Sequence, residues 1–461
     1  MKRFKNCFYI VAIVSVLLVN IPLNATTIVV PNDQPTIQAG IDAAADRDTV
    51  LVKSGTYKGD GNVNIDFKGK EITVKSENGA ALTIIDCEGH PDTRGFTFQN
   101  EETATAELDG FTIMNGNHSL GGGIYCNNAS PTIKNCVIDQ NIAVKNGDFT
   151  RYGGGVYGFN SEMKVMGCII SNNSSESYGS GVFFRGEVDY SVRKSYYQPT
   201  LTDCVISENS GTGLYCISQV STTIKDSEIL KNKGRGIVCT FFSLSGTHVV
   251  NCLISESMGG GIECAEHSVL YVSDSYITQN TAEYGGGIYS SPTAISHVSD
   301  CVIAANTAFK TGGGIEVQSS FGRASVKHCT ITQNSADGSG GGVNAFLGGT
   351  LFKMTDSIVW GNSSKLTPHP EFYVSGPSAT VRRCNIRGGI DGIDRGPDGD
   401  QHIFEDIIDV DPQFADANNG DFRLRRRSKA AGMGVQALTE DALSVSSVGK
   451  KVIIWGALKR K

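Results

Sequence analysis

GGGIYSSPTAISHVSDCVIAANTAFKTGGGIEV, residues 285–317, holds one complete copy of a phrase that the chain repeats, together with the opening of the next copy. Its parts are Gly287-Ile288, then Val298-x-x-Cys301-x-Ile303, then Asn306, and then the new start at Gly314-Ile315. Eleven copies of the central part run from Leu108 to Ile386, anchored on Phe111, Cys136, Cys168, Cys204, Ser227, Cys252, Ser275, Cys301, Cys329, Ser357 and Cys384. Successive anchors lie 23 to 36 residues apart. The residue three before each anchor is aliphatic or Met, and the residue two after is Ile, or Val359 in one copy. Self-similarity at this period marks a solenoid, in which each repeat buries its apolar face only against its neighbours.

The shortest copy, 23 residues, has room for three strands of four or five residues and three bends, but not for a helix and a strand. Alternation with period two around each Gly-aliphatic pair and each anchor marks strands with one buried face. Gly before the first strand permits a tight bend. Asn stands five after the anchor in eight copies, from Asn141 to Asn362; it tolerates left-handed dihedrals and can hydrogen-bond its copies above and below. Equivalent strands of successive coils then pair in parallel at about 4.8 Å. The fold class is all-β, a single-stranded right-handed parallel β-helix. Residues 35–45, with Ile37, Ile41, Ala44 and Ala45 on one face, form a helical cap over the first coil, whose strand edges would otherwise be open. Four segments follow: 1–25, 26–107 (cap and first coils), 108–388 (repeats) and 389–461 (C-terminal cap).

Residues 1–25 read as a secretory signal: basic Lys2, Arg3 and Lys5, an apolar run from Phe8 to Val19, and Ala25 before the cleavage point. The apolar run is short for a membrane span. Forty Lys and Arg stand against 47 Asp and Glu, and basic blocks such as Lys459-Arg460-Lys461 are short, which argues against a nucleic-acid partner. The expected protein is acidic and secreted or held at the cell surface, or periplasmic, and not membrane-spanning once the signal is gone. Of the 13 cysteines, seven are anchors and four (Cys126, Cys216, Cys239, Cys264) share a second column. Interchange with Ser at matched interior positions suggests free, buried thiols acting as small apolar residues, with pairing between neighbouring rungs as the alternative.

The cap and the repeat together resemble bacterial right-handed parallel β-helix proteins of the pectin-lyase-like superfamily. The opening Val30-Pro31-Asn32-Asp33-Gln34-Pro35-Thr36-Ile37-Gln38, with Asp48-Thr49-Val50 and Gly55-Thr56-Tyr57 after it, looks like that group's N-terminal turn. The Ile-x-x-Asn phrases (Ile138 to Asn141, Ile277 to Asn280) are similar to repeats of chlamydial-type polymorphic outer membrane proteins, which carry Phe where this chain has Ile. Asp411-Pro412-Gln413-Phe414 and Gly420-Asp421-Phe422-Arg423-Leu424 look like the closing segment of secreted β-helix proteins. The resemblance implies a fold and leaves activity open, because the superfamily holds lyases, hydrolases, epimerases and adhesins. The paired aspartates of polygalacturonases, the Asp-Pro-His-Asp of mannuronan epimerases and the Arg-x-Pro-x-x-Arg of pectate lyases are absent from the sequence.

The residue after each Gly-aliphatic pair should face outward. Five of these nine are aromatic: Tyr125, Tyr157, Phe183, Tyr215 and Tyr289. Rings at one per rung suit the sugars of an extended glycan, although aromatics also favour exposed strand positions for packing alone. Two long bends, 141–155 and 184–198, flank these strands, the second carrying Arg185, Arg193 and Lys194; such loops on a rigid column often carry specificity. Glu263 and Glu316 lie two rungs apart in the same outward line, a spacing near that of an inverting glycosidase's carboxyls. Residues 394–405 partly match a calcium loop, with Asp394, Asp398, Asp400 and Glu405 in ligand positions. The eight histidines form no cluster. The leading expectation is a protein that binds polysaccharide or a cell surface through its aromatic flank. The alternatives are a polysaccharide lyase or glycoside hydrolase, and a structural or adhesive element associating through the apolar outward residues after the anchors (Val137, Ile169, Val205, Leu253, Tyr276, Val302, Ile358).

Overall fold

The computed structural model describes residues 25–435 apart from 145–150, 188–196, 242–245, 320–321, 349–350, 367, 377 and 397–400. Nearly all of the expected signal therefore lies outside the described residues. Among the described residues, no helix is long and apolar enough to cross a membrane.

One repeat makes one coil of a parallel β-helix. The chain runs through Val269–Ser273, turns at Asp274, continues through Tyr276–Thr278, turns again before Asn280, and crosses to Ile288–Ser290. It then begins the next coil at Ile295–Ser299, which pairs in parallel with Val269–Ser273. Register repeats the phrase: Val272 lies opposite Val298, Ile277 opposite Ile303, and Ile288 opposite Ile315. The Gly-aliphatic strands form a sheet of 13 strands, from Ile65–Asp66 to Ile393–Arg395. Two further long ladders join into one 27-stranded sheet through the long strand Ala379–Ile386, which pairs with both, and two-residue strands such as Thr281–Ala282 and Thr307–Ala308 pair in short ladders of their own. Stacking continues past Gly388, where the repeat lapses: Ile403–Ile408 pairs with Ala379–Ile386, and Ile393–Arg395 adds the last rung to the 13-stranded sheet.

The N-terminal cap is a short helix, Ile37–Ala43, whose Ala39 N–H donates to Thr36 Oγ1 at 3.2 Å. Ile37 and Ile41 are buried against the first coil. At the other end the chain folds back: the antiparallel strands Phe414–Asp416 and Asp421–Leu424 lie against the outside of the column.

The anchor column is interior and buried throughout, and all twelve cysteines from Cys87 to Cys384 are free. The Cys/Ser interchange has a sharper reason than small apolar size. Ser275 Oγ donates to Ser273 O at 2.7 Å, and Cys301 Sγ donates to Ser299 O at 3.0 Å. The same atom also accepts from the rung before, as where Cys252 N–H donates to Ser275 Oγ at 3.1 Å and Cys136 N–H to Cys168 Sγ at 3.4 Å. The bend before the anchor takes these backbone groups out of the ladder, and a short side chain with a donor and a lone pair satisfies them. Burial pushes the Cys204, Cys252 and Cys384 thiols up to about 12.

The asparagines form a ladder sealed from solvent. Asn306 accepts from both the N–H and the Nδ2 of Asn280, and its own Nδ2 donates to Asn334 Oδ1 and Ile277 O, all at 2.8–3.0 Å. The left-handed bend is not at these asparagines. It falls one residue earlier, at Gln140 (φ 58) and Gln279 (φ 58), and at the residue before the anchor, such as Asp274 (φ 52). The ladder Asn is thus free to turn its carboxamide inward. Glycine is required beside it: a Cβ on Gly155 would lie 2.7 Å from Gly181 O and 2.9 Å from Asn173 Nδ2. Glu371 ends the ladder, its Oε2 accepting from the N–H and Nδ2 of Asn362.

Candidate functional site

The outward residues of the 13-stranded sheet fall in one continuous line, because every strand pairs in register with the next. Tyr125, Tyr157, Phe183 and Tyr215 are successive partners, followed by Val238, Glu263, Tyr289, Glu316, Asn344, Tyr373 and Asp394. The upper half is aromatic and the lower half polar.

In the upper half the rings stack on one another. Tyr125–Tyr157, Tyr157–Phe183 and Phe183–Tyr215 have centroids 5.6, 5.8 and 5.6 Å apart, with planes within 17° of parallel. Ring faces are therefore occupied by neighbouring rings, and edges point outward. A second row covers them. Tyr152 stacks on Phe183 at 4.3 Å, and Tyr178 lies 4.9 Å from Tyr215. Tyr157 is 5 % and Phe183 1 % exposed, so the inner row does not offer the open faces that alternation alone suggests. Tyr178, 50 % exposed, is the ring turned to solvent. The signal for this second row is in the sequence: Tyr152, Tyr178 and Tyr284 each stand immediately before the glycine run of their repeat, five residues ahead of the outward position. The first of those glycines takes positive φ, as at Gly153 (φ 65) and Gly179 (φ 64), and the bridge between Tyr152 and Tyr178 keeps the row in step. Arg94 closes the top of the stack, its guanidinium 4.4 Å from the Tyr125 centroid. Desolvation by burial brings that guanidinium down to about 10, opposed by the neighbouring Tyr125 and Asp92.

In the lower half, Arg235 Nε meets Glu263 Oε2 at 2.6 Å, and its guanidinium lies 5.4 Å from the Tyr289 centroid. The Glu263 side chain is partly open to solvent. Glu316 is enclosed: Gln318 Nε2 and Asn344 Nδ2 donate to its two oxygens at 3.1 and 2.9 Å, Thr311 adds a further bond, and Tyr289 OH donates to Gln318 Oε1. Burial pushes the Glu316 carboxyl up to about 7, against the lowering effect of those donors. Glu263 and Glu316 thus differ in kind. Glu263 is ion-paired and accessible, whereas Glu316 is buried and held by neutral donors.

Arg185 ends the strand Val182–Arg185 with its guanidinium 6.0 Å from the Phe159 centroid. Arg193 and Lys194 lie outside the described residues, as do Asp398 and Asp400 of the calcium-loop match. Asp394 and Glu405 occupy strands of different sheets, Ile393–Arg395 and Ile403–Ile408, and Glu405 is paired with Arg382 at 2.8 Å. Among the described residues, no group of His, Cys, Asp and Glu is placed to hold a metal ion.

A coil of three short strands, a buried asparagine ladder and parallel pairing throughout define the class. The chain belongs to the family described as the right handed beta helix region, whose profile matches residues 71–252, 191–281 and 242–358 in overlapping stretches. No curated protein matches the sequence. Among solved structures, it is similar to the A-module of a mannuronan C-5 epimerase from Azotobacter vinelandii, with 13% identity, TM-score 0.42, and 82% of this chain and 95% of that one covered. A mannuronic acid specific polysaccharide family 6 lyase from human gut microbiota is similar at 12% identity and TM-score 0.37, over 92% of this chain and 100% of that one. The catalytic unit of a GH87 alpha-1,3-glucanase from Streptomyces thermodiastaticus is similar at 13% identity and TM-score 0.34, over 84% and 68%. At these identities the likeness is one of fold.

Proposed function

We propose that this is an exported protein that binds an extended polysaccharide along the flank of its 13-stranded sheet. The observation that carries the reading is Tyr178, an exposed ring held on a stacked aromatic base, in one flank with the partly exposed Glu263, its partner Arg235, and Tyr289. A sugar presents an apolar face of C–H groups and an edge of hydroxyls; the first suits a ring and the second suits a carboxylate and a guanidinium. Because the base rings already lock one another, little side-chain entropy remains to be lost on binding. The signal-like residues 1–25 support export, and with it a glycan of the cell surface or surroundings.

The test is binding of the purified protein to a panel of acidic and neutral polysaccharides, followed by Tyr178→Ala and Glu263→Gln. Each change should weaken binding by about 1 kcal/mol, roughly fivefold, with the melting temperature little changed. Absence of affinity for every polysaccharide tried would refute the proposal.

A second reading, polysaccharide cleavage, is favoured by one observation: Glu316 is poised to carry a proton near neutral pH, two rungs from Glu263. Release of reducing or unsaturated ends that disappears in Glu263→Gln would establish it. Enclosure of Glu316 by Gln318 and Asn344 counts against it in this conformation.

A further inference from the structure

The antiparallel strands Phe414–Asp416 and Asp421–Leu424, with the one-turn helix Ala417–Asn419 between them, fold back on the 27-stranded sheet. They are attached at two places. Phe414 and Phe422 pack with Tyr276, Val302 and Ala304, and Gln333 Nε2 donates to Ala417 O at 3.1 Å. Between these attachments the hairpin and the column enclose a cleft of about 390 Å³. That is the small end of the range for ligand sites, about 300–1,000 Å³.

One residue makes room for the cleft. The left-handed bend one residue before the ladder carries Gln140, Glu208, Lys231, Glu256, Gln279 and Gln333 in other coils, all with φ of 54–58. In the coil between the last two it carries Ala305, also left-handed (φ 54). Left-handed backbone favours Gly, Asn or Asp over Ala, so local conformation does not account for the short side chain. Its consequence is spatial: Gln279, Ala305 and Gln333 all line the cleft, and a long side chain on the middle one would enter it.

The lining selects a chemistry. Among the described residues it carries no charged side chain. Asp421 and Arg423, whose charges reach Tyr276, pair with each other at 2.7 Å. Val302, Ala304 and Phe422 give a buried apolar floor with the half-buried Tyr276 beside it, and Thr278, Gln279, Asn418 and Asn419 give a more exposed polar rim. A charged ligand would lose hydration there without gaining a counter-charge. A purely apolar one would leave the carboxamides unpaired. A pyranose meets both demands, with C–H groups for the Tyr276 ring and hydroxyls for carboxamides that both donate and accept. We propose that this cleft binds a neutral mono- or disaccharide. It belongs to the 27-stranded sheet, so it is a site separate from the aromatic flank of the 13-stranded sheet.

The test uses the full chain with methyl glycosides of neutral hexoses and pentoses and with neutral disaccharides, followed by saturation-transfer NMR and calorimetry. At least one neutral sugar should bind, and the uronic acid of the same configuration should bind about tenfold more weakly. Ala305→Gln gives this coil the side chain of its neighbours and fills the cleft; it should abolish binding with circular dichroism unchanged. Asn418→Ala, on the exposed rim, should weaken binding about fivefold through one lost hydrogen bond. Absence of binding by every neutral sugar would overturn the inference, as would binding that survives both substitutions or a preference for the uronic acid. Affinity lost in Tyr178→Ala but kept in Ala305→Gln would also overturn it, by returning the sugar to the aromatic flank. Failure of the flank to bind polysaccharide, with neutral sugar still lost in Ala305→Gln, would support this cleft alone.

Discussion

The asparagine ladder has one missing rung, and restoring it should stabilise the protein. Between Asn232 and Asn280 the equivalent residue is Ser257, whose Oγ is buried without a hydrogen-bond partner. Its backbone still donates to Asn280 Oδ1 at 3.0 Å, so the main chain already follows the ladder path. In complete rungs the glycine opening the strand of the preceding coil leaves room for the carboxamide: a Cβ on Gly213 would lie 2.8 Å from Asn232 Nδ2. Gly236 stands in the same relation to residue 257, and the space beside it is unfilled by any amide. Ser257→Asn would supply an acceptor for the N–H and Nδ2 of Asn232 and donate to Ile229 O and Asn280 Oδ1, as Asn306 does with its own neighbours. With net gains of about 1 kcal/mol per buried bond, offset by burying a new amide, the expected stabilisation is about 1–2 kcal/mol. In a chain of this length that is a rise of roughly 2 °C in melting temperature. Urea titration followed by circular dichroism would measure it, and amide exchange at Asn232 should slow. The reverse change, Asn306→Ser, removes four bonds and should destabilise by about 3 kcal/mol or more. A lower unfolding midpoint for Ser257→Asn would refute the claim that the ladder, rather than the surrounding apolar packing, sets the stability of this corner.

Other outcomes follow from the same geometry. Because burial raises the Glu316 carboxyl from its ordinary value near 4.5 to about 7, the folded state keeps a proton that the unfolded state releases over this interval. Stability should therefore fall by about 3 kcal/mol as pH rises from about 4.5 to about 7 through this group; Glu316→Gln should flatten that part of a stability-versus-pH curve. Phe183→Ala, which empties the middle of the ring stack, should cost about 3–5 kcal/mol in chemical denaturation, in contrast to the mild effect of Tyr178→Ala. At the anchor, Cys301→Ser should be tolerated better than Cys301→Ala by about 1 kcal/mol, because only the hydroxyl replaces the bond to Ser299 O. An aromatic disulfide reagent should leave the twelve buried thiols unmodified in native protein and titrate all of them in denaturant.

The coil was legible because each of its determinants is local and recurs. Cys301, Ile303 and Asn306 lie within six residues of one another, and the same offsets repeat from coil to coil. Once one copy is understood, parallel stacking places every other copy above or below it. The line of outward residues was legible for the same reason. Which of them are exposed was not. Phe183 and Tyr215 alternate outward as expected, but Tyr152 comes over the first and Tyr178 over the second from the bend of the coil before, and period-two reasoning along a strand contains no information about a neighbouring bend. Glu263 and Glu316 occupy equivalent positions in the sequence, yet one meets Arg235 and the other is enclosed by Gln318, Asn344 and Thr311.

By itself, then, the sequence determined the coil, its period, its interior columns and the direction of each side chain, since these depend on alternation and on bends a few residues apart. Only the tertiary structure decided which outward groups are covered and that burial raises the Glu316 carboxyl while Glu263 meets Arg235. It also decided where the C-terminal segment returns, with Val435 meeting Thr330 across 105 residues of chain. Those outcomes rest on contacts between side chains of different coils and on desolvation of the groups they enclose, and neither leaves a periodic mark in the sequence.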